Sequence, residues 1–541
     1  MKARLKNCIQ HGLGVGLMAA LMAGLVACGG GDSSSSNVSD QTTGTATVPV
    51  TLAASSTYAQ QCDPSNPNAP AASKNGSLSI EKQWIRSYVN EAYLWFDQVP
   101  PVDATAAAYS GAMTTLASYN VPAPLSSYFQ ALKTPQTTAS GAKVDKFSFS
   151  YATADWIAFS QAGQSGGYGA SVALLSATVP RKAVITLVDP GTPAAAASLS
   201  RGAEILTVDG IDLVNDGTAA GVKTLNAGLF PAIGTAHTFG VRDPGSTAPR
   251  TLSLKAQTIT GTPVQAVRSI PTATGNVGYM LFTDHTAASE QLLINAINQL
   301  KSSNVSDLVL DLRYNGGGYL YVASELAYMI AGPSKTFSNG SSHVFEKLTY
   351  NSKRTADTNS SNAATPFYTT SCLLSGNNCT SSQALPTLGL SRVYVLAQSG
   401  TCSASEAIVN GLRGVGLDVK LIGGTTCGKP YGFTAKDNCG VSYFPIEFKG
   451  VNAAGYGDYS DGFAPTCSVG DDFSKQLGDA TEAMLAGALT VRATGLCPGG
   501  GALKSLKAAP DAASATGYVL LKSPLRENRW IFPEGRPHGR P

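Results

Sequence analysis

The sequence predicts a multi-domain α/β protein, and three features of its 541 residues lead to this prediction. The chain is longer than a single domain, for which about 100–200 residues is usual. From Gly278 onwards, apolar strands alternate with helical patterns, as in sheets of parallel strands. Upstream, residues 168–254 consist of short strand patterns separated by Gly and Asp, and residues 80–96 repeat apolar side chains at helical spacing. We therefore expect a small helical N-terminal region, a β-rich domain and an α/β domain, in that order.

The composition excludes several classes of function. Lys and Arg number 38 against 35 Asp and Glu, so the formal net charge of +3 is too small for a nucleic-acid-binding surface. The 57 Gly and 29 Pro indicate a globular protein with many turns. The five histidines are scattered, and no Cys/His spacing is typical of a zinc site. We expect no metal, no other cofactor and no nucleic-acid partner.

The first 28 residues have the pattern of an export signal. Lys2, Arg4 and Lys6 precede an apolar run that is too short and too rich in Gly to favour a membrane span. The run ends in Leu-Val-Ala-Cys at Cys28, which resembles the lipobox of bacterial lipoproteins, where the cysteine receives lipid. Gly29 follows in place of the Asp of an inner-membrane retention signal, which favours the outer membrane. We predict a lipid-anchored protein of the cell envelope; the alternative is an ordinary cleaved signal.

Eight cysteines follow Cys28, and their even number in an oxidising compartment indicates disulfides. Eight cysteines allow 105 pairings, so the sequence does not choose among them. Cys372 and Cys379 lie close enough to close a small loop. The eight are Cys62, Cys372, Cys379, Cys402, Cys427, Cys439, Cys467 and Cys497.

The composition changes along the chain predict the domain boundaries. A stretch rich in Gly, Ser, Thr, Asn, Ala and Pro follows Cys28 and predicts a flexible tether with an r.m.s. span of roughly 40 Å. After it, Ser79 is the expected N-cap of a helix with Glu81 in its first turn. The predicted parts are a signal (1–28), a tether (29–75), a helical region (76–155), a β-rich domain (156–260), an α/β domain (261–500) and a tail without a sustained pattern (501–541).

Three segments of the α/β domain contain residue types that nucleophilic catalysis needs, and each follows a predicted strand. In residues 311–318 (DLRYNGGG), the glycines free backbone N–H groups for a negative oxygen, although such a turn equally fits a phosphate cradle or a plain turn. In residues 400–406 (GTCSASE), a serine lies between strand and helix, but an isolated SxSE more often caps a helix. In residues 423–429 (GGTTCGK), a lone lysine is usually solvated.

The order and spacing of the three segments resemble the carboxyl-terminal processing (tail-specific) protease family over about residues 165–490. The resemblance implies a crotonase/Clp-protease-like catalytic domain. It implies that Ser403 is the nucleophile, that Lys429 is its general base and that Glu406 is a supporting acid. It also implies that the backbone N–H groups of Gly318 and Ala404 bind the oxyanion.

The sequence departs from the family pattern at three positions. One alternative nucleophile and one alternative general base also remain possible. Cys402 replaces a small residue, Cys427 lies two residues before the lysine, and Pro430 replaces a glycine, so the shape of the loops is in doubt. Ser405 matches the family's second, non-nucleophilic serine. A Cys402 thiol is an alternative nucleophile without an adjacent histidine. His285 is an alternative base, although a histidine at such a strand end is more often on the surface or beside the substrate.

Residues 156–260 resemble a PDZ domain, most specifically between Pro193 and Gly210. In such domains a Gly-containing turn presents backbone N–H groups to the C-terminal carboxylate of a peptide, which adds a strand to the sheet edge. The resemblance assigns this turn to Gly167, Tyr168, Gly169 and Ala170. The alternative is a small β-rich domain without a ligand.

These features predict a lipid-anchored serine endopeptidase that binds polypeptide substrates and recognises their C-termini. The alternative function is a catalytically silent, peptide-binding envelope lipoprotein that keeps the fold as a scaffold. The sequence determines neither the substrate nor the oligomeric state.

Overall fold

The computed structural model describes most of the chain from residue 52 onwards, and this part forms one compact unit. The predicted signal, Cys28 and the first part of the tether lie outside the described residues. No helix within the described ranges is long and apolar enough to cross a membrane. The described residues are 52–116, 120–375, 378–503, 518–521 and 529–532.

Residues 52–75 differ from the flexible tether that their composition predicts. A disulfide joins Cys62 to Cys439 in the α/β domain. The Asp63 carboxylate accepts the backbone N–H of Leu78 at 2.9 Å, at the start of the first helix. The segment buries few apolar side chains, but these covalent and polar bonds attach it to the rest of the protein.

The helical N-terminal region packs into the same hydrophobic core as the α/β domain. Its first helix begins one residue after Ser77, whose Oγ accepts the N–H of Ile80 at 3.4 Å, so the predicted cap at Ser79 is wrong. Trp84 and Ile85 are almost completely buried, as the helical spacing predicts. The elements are α1 (Leu78–Ala92), α2 (Ala123–Ala131), β1 (Phe149–Ala152) and α3 (Thr153–Ala162).

The β-rich lobe has a hydrophobic core of its own. In its main sheet, the strands β3, β4, β5, β7 and β8 lie side by side in this order, and each pairs antiparallel with the next. The strand predicted after Gly169 is present as β3. The elements are β2 (Gln164–Gly167), β3 (Ala170–Ser176), β4 (Lys182–Val188), α4 (Pro193–Ala196), β5 (Glu204–Val208), β6 (Ile211–Asp212), α5 (Ala219–Leu229), β7 (Ala236–Arg242), β8 (Arg250–Lys255) and β9 (Gln257–Thr260).

The α/β domain contains the parallel sheet that the alternating pattern predicts. Its elements up to the nucleophile segment are β10 (Val264–Ile270), β11 (Asn276–Phe282), α6 (Ser289–Ser302), β12 (Val305–Asp311), β13 (Gly317–Tyr319), α7 (Leu320–Ala331), α8 (Pro333–Thr336), β14 (Phe337–Ser338), β15 (Ser341–Ser342), β16 (Val344–Tyr350), α9 (Thr355–Thr358), β17 (Ala364–Pro366), β18 (Leu373–Ser375), β19 (Asn378–Ser381) and β20 (Arg392–Ala397). The following elements are α10 (Ala404–Gly414), β21 (Asp418–Gly423), β22 (Tyr431–Thr434), β23 (Lys436–Asn438), β24 (Val441–Phe444), β25 (Phe448–Val451), β26 (Cys467–Ser468) and α11 (Ala483–Thr494).

The sheet order β10-β11-β12-β20-β21-β26 determines where the candidate site lies. Strands β12, β20 and β21 are neighbours and run parallel, so their carboxyl ends meet at one edge. The three predicted segments follow these three strands directly. Ligands of open α/β sheets bind at this edge because the loops that leave the strands converge there.

The C-terminal tail contains two strands that the sequence pattern does not predict. They are β27 (Val519–Leu521), which joins the sheet of the β-rich lobe beside β3, and β28 (Arg529–Phe532), which lies between β13 and β22. Both form backbone ladders with distant parts of the chain.

Four disulfides use all eight cysteines that follow Cys28. The predicted small loop between Cys372 and Cys379 is confirmed. The other three pairs are Cys62–Cys439, Cys402–Cys427 and Cys467–Cys497.

Candidate active site

Ser403 occupies a strained turn between β20 and α10. Its φ of 61° and ψ of −117° lie outside the regions that non-glycine residues favour, a conformation that costs about 1–3 kcal/mol and is concentrated at functional sites. The residue is completely buried, and its Oγ has no hydrogen-bond partner among the described residues. Ser403 is also the N-cap residue of α10, and Glu406, at the third helical position, accepts its backbone N–H as in a capping box. Ser405 differs, because its Oγ donates to the backbone oxygen of Asn315 at 3.2 Å.

The Glu406 carboxylate connects the serine turn to the lysine turn. Its Oε2 accepts the backbone N–H of Ser403 and that of Lys429, each at 2.9 Å. Its Oε1 accepts from Thr426 Oγ1 at 2.6 Å and from the N–H of Gly428 at 2.9 Å. Burial raises the pKa of this carboxyl, and the hydrogen bonds counteract that rise. Glu406 thus holds together two turns that are more than 20 residues apart in the sequence.

A disulfide between Cys402 and Cys427 joins the same two turns covalently. The two cysteines precede Ser403 by one residue and Lys429 by two residues. Because both sulfurs are in the disulfide, neither Cys402 nor Cys427 is available as a thiol nucleophile or a thiolate metal ligand. The two departures from the family pattern are therefore one feature, a bond across the site.

Lys429 is completely buried in an aromatic environment. Its Nζ lies 4.0 Å from the ring centroid of Phe433 and 5.3 Å from that of Phe147. A second lysine, Lys146, donates from Nζ to the backbone oxygen of Cys427 at 3.2 Å, and its side chain is exposed. Sequence reasoning missed Lys146, since only the tertiary fold brings it to this turn.

The glycine turn of residues 315–318 lies against the serine turn. The backbone oxygen of Asn315 accepts the N–H of Cys402 at 3.1 Å, directly before the serine. Gly318 has a φ of 143°, and a Cβ added there would lie 2.3 Å from the backbone oxygen of His285. Only glycine fits this position. The structure therefore brings the glycine, serine and lysine turns together, and Ala404 is the first residue of α10.

His285 is buried behind the glycine turn and is not a surface residue. Its backbone N–H donates to the oxygen of Gly317 at 3.1 Å, and its Nδ1 lies 3.0 Å from Asn315 Oδ1. Nε2 has no hydrogen-bond partner within the described part of the chain. Burial lowers the pKa of His285 to about 3, so the ring is neutral near pH 7. Its contacts are those of a residue that supports the glycine turn.

Arg313 anchors the end of β12 in a buried ion cluster. Its guanidinium lies 2.6 Å from Asp471 Oδ1 and 2.8 Å from Glu482 Oε1, and it also pairs with Asp311. Arg201 of the β-rich lobe reaches the same Asp471 oxygen at 2.5 Å. The cluster therefore joins the glycine turn of the α/β domain to the β-rich lobe. The sequence singled out Asp311 and Arg313 as motif residues but contained no signal for Asp471.

The predicted peptide-binding turn of residues 167–170 lines a cavity of about 620 Å³. The Tyr168 side chain is buried, and its OH donates to the backbone oxygen of Gly228 at 3.0 Å. Among the described residues that line the cavity there are three carboxylates and neither Lys nor Arg. The carboxylates belong to Asp155, Asp189 and Asp284.

Comparison with known proteins identifies the domain that carries the three turns. Residues 276–436, which include Gly318, Ser403 and Lys429, match the model of peptidase family S41. This part of the chain is therefore similar to peptidase family S41.

Two curated relatives agree with this similarity. A carboxyl-terminal-processing protease of Picosynechococcus sp. is 32% identical over 139 residues, which are 26% of this chain and 32% of the relative. One of Synechocystis sp. is 28% identical over 140 residues, covering 25% of this chain and 31% of the relative. The chain spans about a third of the length of these two curated relatives.

A solved structure has the same fold over a larger part of the chain. A protein of Bacteroides fragilis described as an S41 protease aligns with a TM-score of 0.53 at 22% identity. The alignment covers 76% of this chain and 97% of that protein.

Proposed function

We propose that this protein is a serine endopeptidase in which Ser403 is the nucleophile and Lys429 the general base. The observation that carries the proposal is the bonding of Glu406 Oε2 to the backbone N–H groups of both residues, at 2.9 Å each. With the Cys402–Cys427 disulfide, this contact holds two candidate catalytic residues in one buried site of an S41 domain. The Ser-Lys pair is a known variant of nucleophilic catalysis.

The chemistry follows from the environment of each group. A lysine accepts a proton only when it is neutral, and the complete burial of Lys429 opposes its charged form. Lys429 then takes the Ser403 proton while Oγ attacks the peptide carbonyl carbon, and the oxyanion is bound by the N–H groups of Gly318 and Ala404. As the peptide C–N bond breaks, Lys429 returns the proton to the leaving amine. Water subsequently hydrolyses the acyl-enzyme.

The finer part of the proposal concerns substrate recognition. We interpret the β-rich lobe as PDZ-like and the α/β domain as crotonase-like, with polypeptide substrates adding a strand at β3. A substrate's C-terminal carboxylate would be bound by backbone N–H groups of residues 167–170. Backbone donors have to supply this contact because the cavity lining offers carboxylates and no basic side chain in the described residues.

The cell envelope is the proposed location. The four disulfides favour an oxidising compartment. Anchoring through lipid on Cys28 is the proposed membrane contact, and it predicts that Cys28→Ser moves the protein from the membrane fraction to the soluble fraction with its peptidase activity intact.

Two matched pairs of substitutions test the catalytic roles. Ser403→Ala and Lys429→Ala are each expected to lower kcat by at least about 10³-fold, because loss of either member of a catalytic pair removes most of the rate enhancement that the pair provides. Ser405→Ala and Lys146→Ala, which change the neighbouring serine and lysine, are expected to keep most of the activity. Peptide cleavage by mass spectrometry is the measurement, and thermal unfolding checks that the variants fold.

Other outcomes of the same experiment would point elsewhere. Full activity in Lys429→Ala with loss in His285→Ala would transfer the role of base to the histidine. Peptide binding without Ser403-dependent cleavage of any peptide would favour the silent, peptide-binding scaffold. A panel of long peptides with free or amidated C-termini tests carboxylate recognition, since equal cleavage of the two forms would remove that part of the proposal.

A further inference from the structure

The tail strand β27 occupies the edge at which a peptide ligand would add to the β-rich lobe. Val519–Leu521 pairs antiparallel with β3, with Leu520 opposite Ala173 and Leu521 opposite Val172. The tail therefore runs towards the turn of residues 167–170, which immediately precedes β3. Strand addition to an exposed sheet edge is a general mode of peptide recognition.

Side-chain contacts hold this strand in place. Tyr518 is buried, and its OH donates to Asp471 Oδ2 at 3.1 Å, so the tail contacts the ion cluster that also contains Arg201. The Tyr518 ring packs edge-on against Phe473, with 5.6 Å between ring centroids. Leu520 and Leu521 line the same cavity of about 620 Å³ as the predicted peptide-binding turn.

The second tail strand, β28, lies between the two turns that carry the proposed catalytic groups. On one side it pairs in parallel with β13, and Trp530 is opposite Gly318. On the other side it pairs in parallel with β22, where Ile531 is opposite Phe433, four residues after Lys429. The backbone of the tail thus lies between β13, which contains Gly318, and β22, which begins two residues after Lys429.

We infer that the two tail strands are a tethered peptide that occupies the substrate cleft, and that polypeptide substrates bind by displacing it. The inference deepens the proposed function and rests on it. One segment of the chain adds a strand at the proposed recognition edge and a second strand beside Gly318, so it occupies both places that a polypeptide substrate would use. A tethered segment competes at an effective concentration in the millimolar range, so dilute substrates meet an occupied cleft.

Proline substitutions in the full chain test the inference, because proline removes a backbone N–H from a strand and disrupts its pairing. The variant combines Leu520→Pro and Ile531→Pro, one in each tail strand. The control is Ala512→Pro, which precedes both strands in the sequence. With peptide substrates, we expect the double variant to show a KM lowered by about ten-fold or more, and the control to match the wild type. A gain of activity cannot result from misfolding.

A synthetic peptide with the sequence of residues 518–532 is expected to inhibit the double variant competitively and to have a much weaker effect on the wild type. An equal KM for the double variant and the wild type would overturn the inference. Intact-mass spectrometry is done first, because removal of the tail in the wild type but not in Ser403→Ala would also overturn it, by showing that the segment is a substrate that leaves.

A binding readout separates this inference from the catalytic proposal. The binding experiment compares Ser403→Ala with and without the two proline substitutions. A fluorescently labelled copy of the tail peptide is expected to bind the protein with the proline substitutions at least about ten-fold more tightly than the protein with the natural tail. This result would support the tethered tail even if no peptide were cleaved. Equal affinities would refute it even if the Ser-Lys chemistry were correct.

Discussion

The backbone of Gly318 passes so close to His285 that a side chain does not fit between them. A Cβ would lie 2.3 Å from the His285 oxygen, and the φ of 143° is itself unfavourable for other residues. Displacement of this turn would move a proposed oxyanion donor, and loss of one such donor lowers kcat by about 10²–10³-fold.

We therefore predict that Gly318→Ala lowers kcat for peptide cleavage by about 10²-fold or more. Gly416→Ala is the control, because Gly416 has a φ of 74° but nothing within 4 Å of an added Cβ. The control should lose some stability through backbone strain and keep its kcat. Similar activity in the two variants would mean that the close contact with His285 does not position the turn.

Glu346 offers a test of pH-dependent stability. The side chain is fully buried in β16, and neither carboxylate oxygen has a hydrogen-bond partner among the described residues. Burial raises the pKa of this carboxyl well above its usual value of 4.5. The folded state therefore binds a proton that the unfolded state releases above pH 4.5, so this group destabilises the fold as the pH rises.

Glu346→Gln should accordingly raise the melting temperature at pH 7, because the amide needs no proton to stay neutral. Below about pH 4, where the carboxyl is also protonated in the unfolded state, the difference should disappear. Thermal unfolding of both proteins between pH 4 and pH 8 measures this, and a gain that does not change with pH would exclude the titration of Glu346 as its cause.

At the scale of elements, a disulfide and a carboxylate hold the turns after β20 and β21 in register. The Cys402–Cys427 bond closes a loop with a sequence separation of 25, and the Cys467–Cys497 bond closes one of 30. Because the two loops are similar in size, each disulfide is expected to add a similar amount to the free energy of unfolding, about 3 kcal/mol in the chain-entropy model. Only the first bond touches the proposed site.

We expect the double variant Cys402→Ser/Cys427→Ser to lower kcat by about ten-fold or more, since misplacing catalytic groups by 1 Å can cost 10²-fold. Cys467→Ser/Cys497→Ser should lower the melting temperature comparably and leave kcat near the wild-type value. Steady-state kinetics and thermal unfolding of both variants measure the two effects. If kcat falls equally in both, the bond between the turns has no special role in positioning them.

Element prediction succeeded where the signal was local. The strands after which the three motifs occur and the helices α7 and α10 agree with the apolar runs and the Gly and Ser signals around them. The apolar pattern predicts a helix over Gln476–Ala493, but α11 starts only at Ala483, where Glu482 accepts the N–H of Leu485 at 3.1 Å as its cap. The tail strands were missed because segments of three and four residues acquire their conformation from the ladders they join.

At the scale of the whole molecule, Arg201 connects the β-rich lobe to the α/β domain. Its guanidinium lies 2.5 Å from Asp471 and also 2.5 Å from the OH of Tyr314, which follows Arg313. Burial alone would raise the pKa of Asp471, but the charges of Arg313 and Arg201 lower it. The pair is therefore stabilising above the unfolded pKa of 3.8 and is lost as the pH falls through the lower folded value.

We predict that Arg201→Met costs about 3 kcal/mol of stability, because it leaves a buried carboxylate with fewer partners. Arg242→Met is the matched control in the same lobe, since Arg242 pairs with Glu204 at the surface and such pairs contribute about 1 kcal/mol or less. Urea unfolding at pH 7 and at pH 3 measures both. A cost for Arg201→Met that is unchanged at pH 3 would contradict the role of the Asp471 charge.

The sequence by itself determined the local features of this protein. Apolar runs fix the strands, Gly and Ser mark the turns that follow them, and the resemblance of three such turns to a known protease family makes Ser403, Lys429 and Gly318 candidates. Only the tertiary structure decided which cysteines pair, that Glu406 binds both turns, that His285 is buried, and that two short tail strands pair with β3, β13 and β22. The physical reason is that these contacts join residues that are far apart in the chain, up to 377 positions for Cys62 and Cys439. Local propensity and periodicity contain no information about such pairings, which form only when the packed elements bring the two partners together.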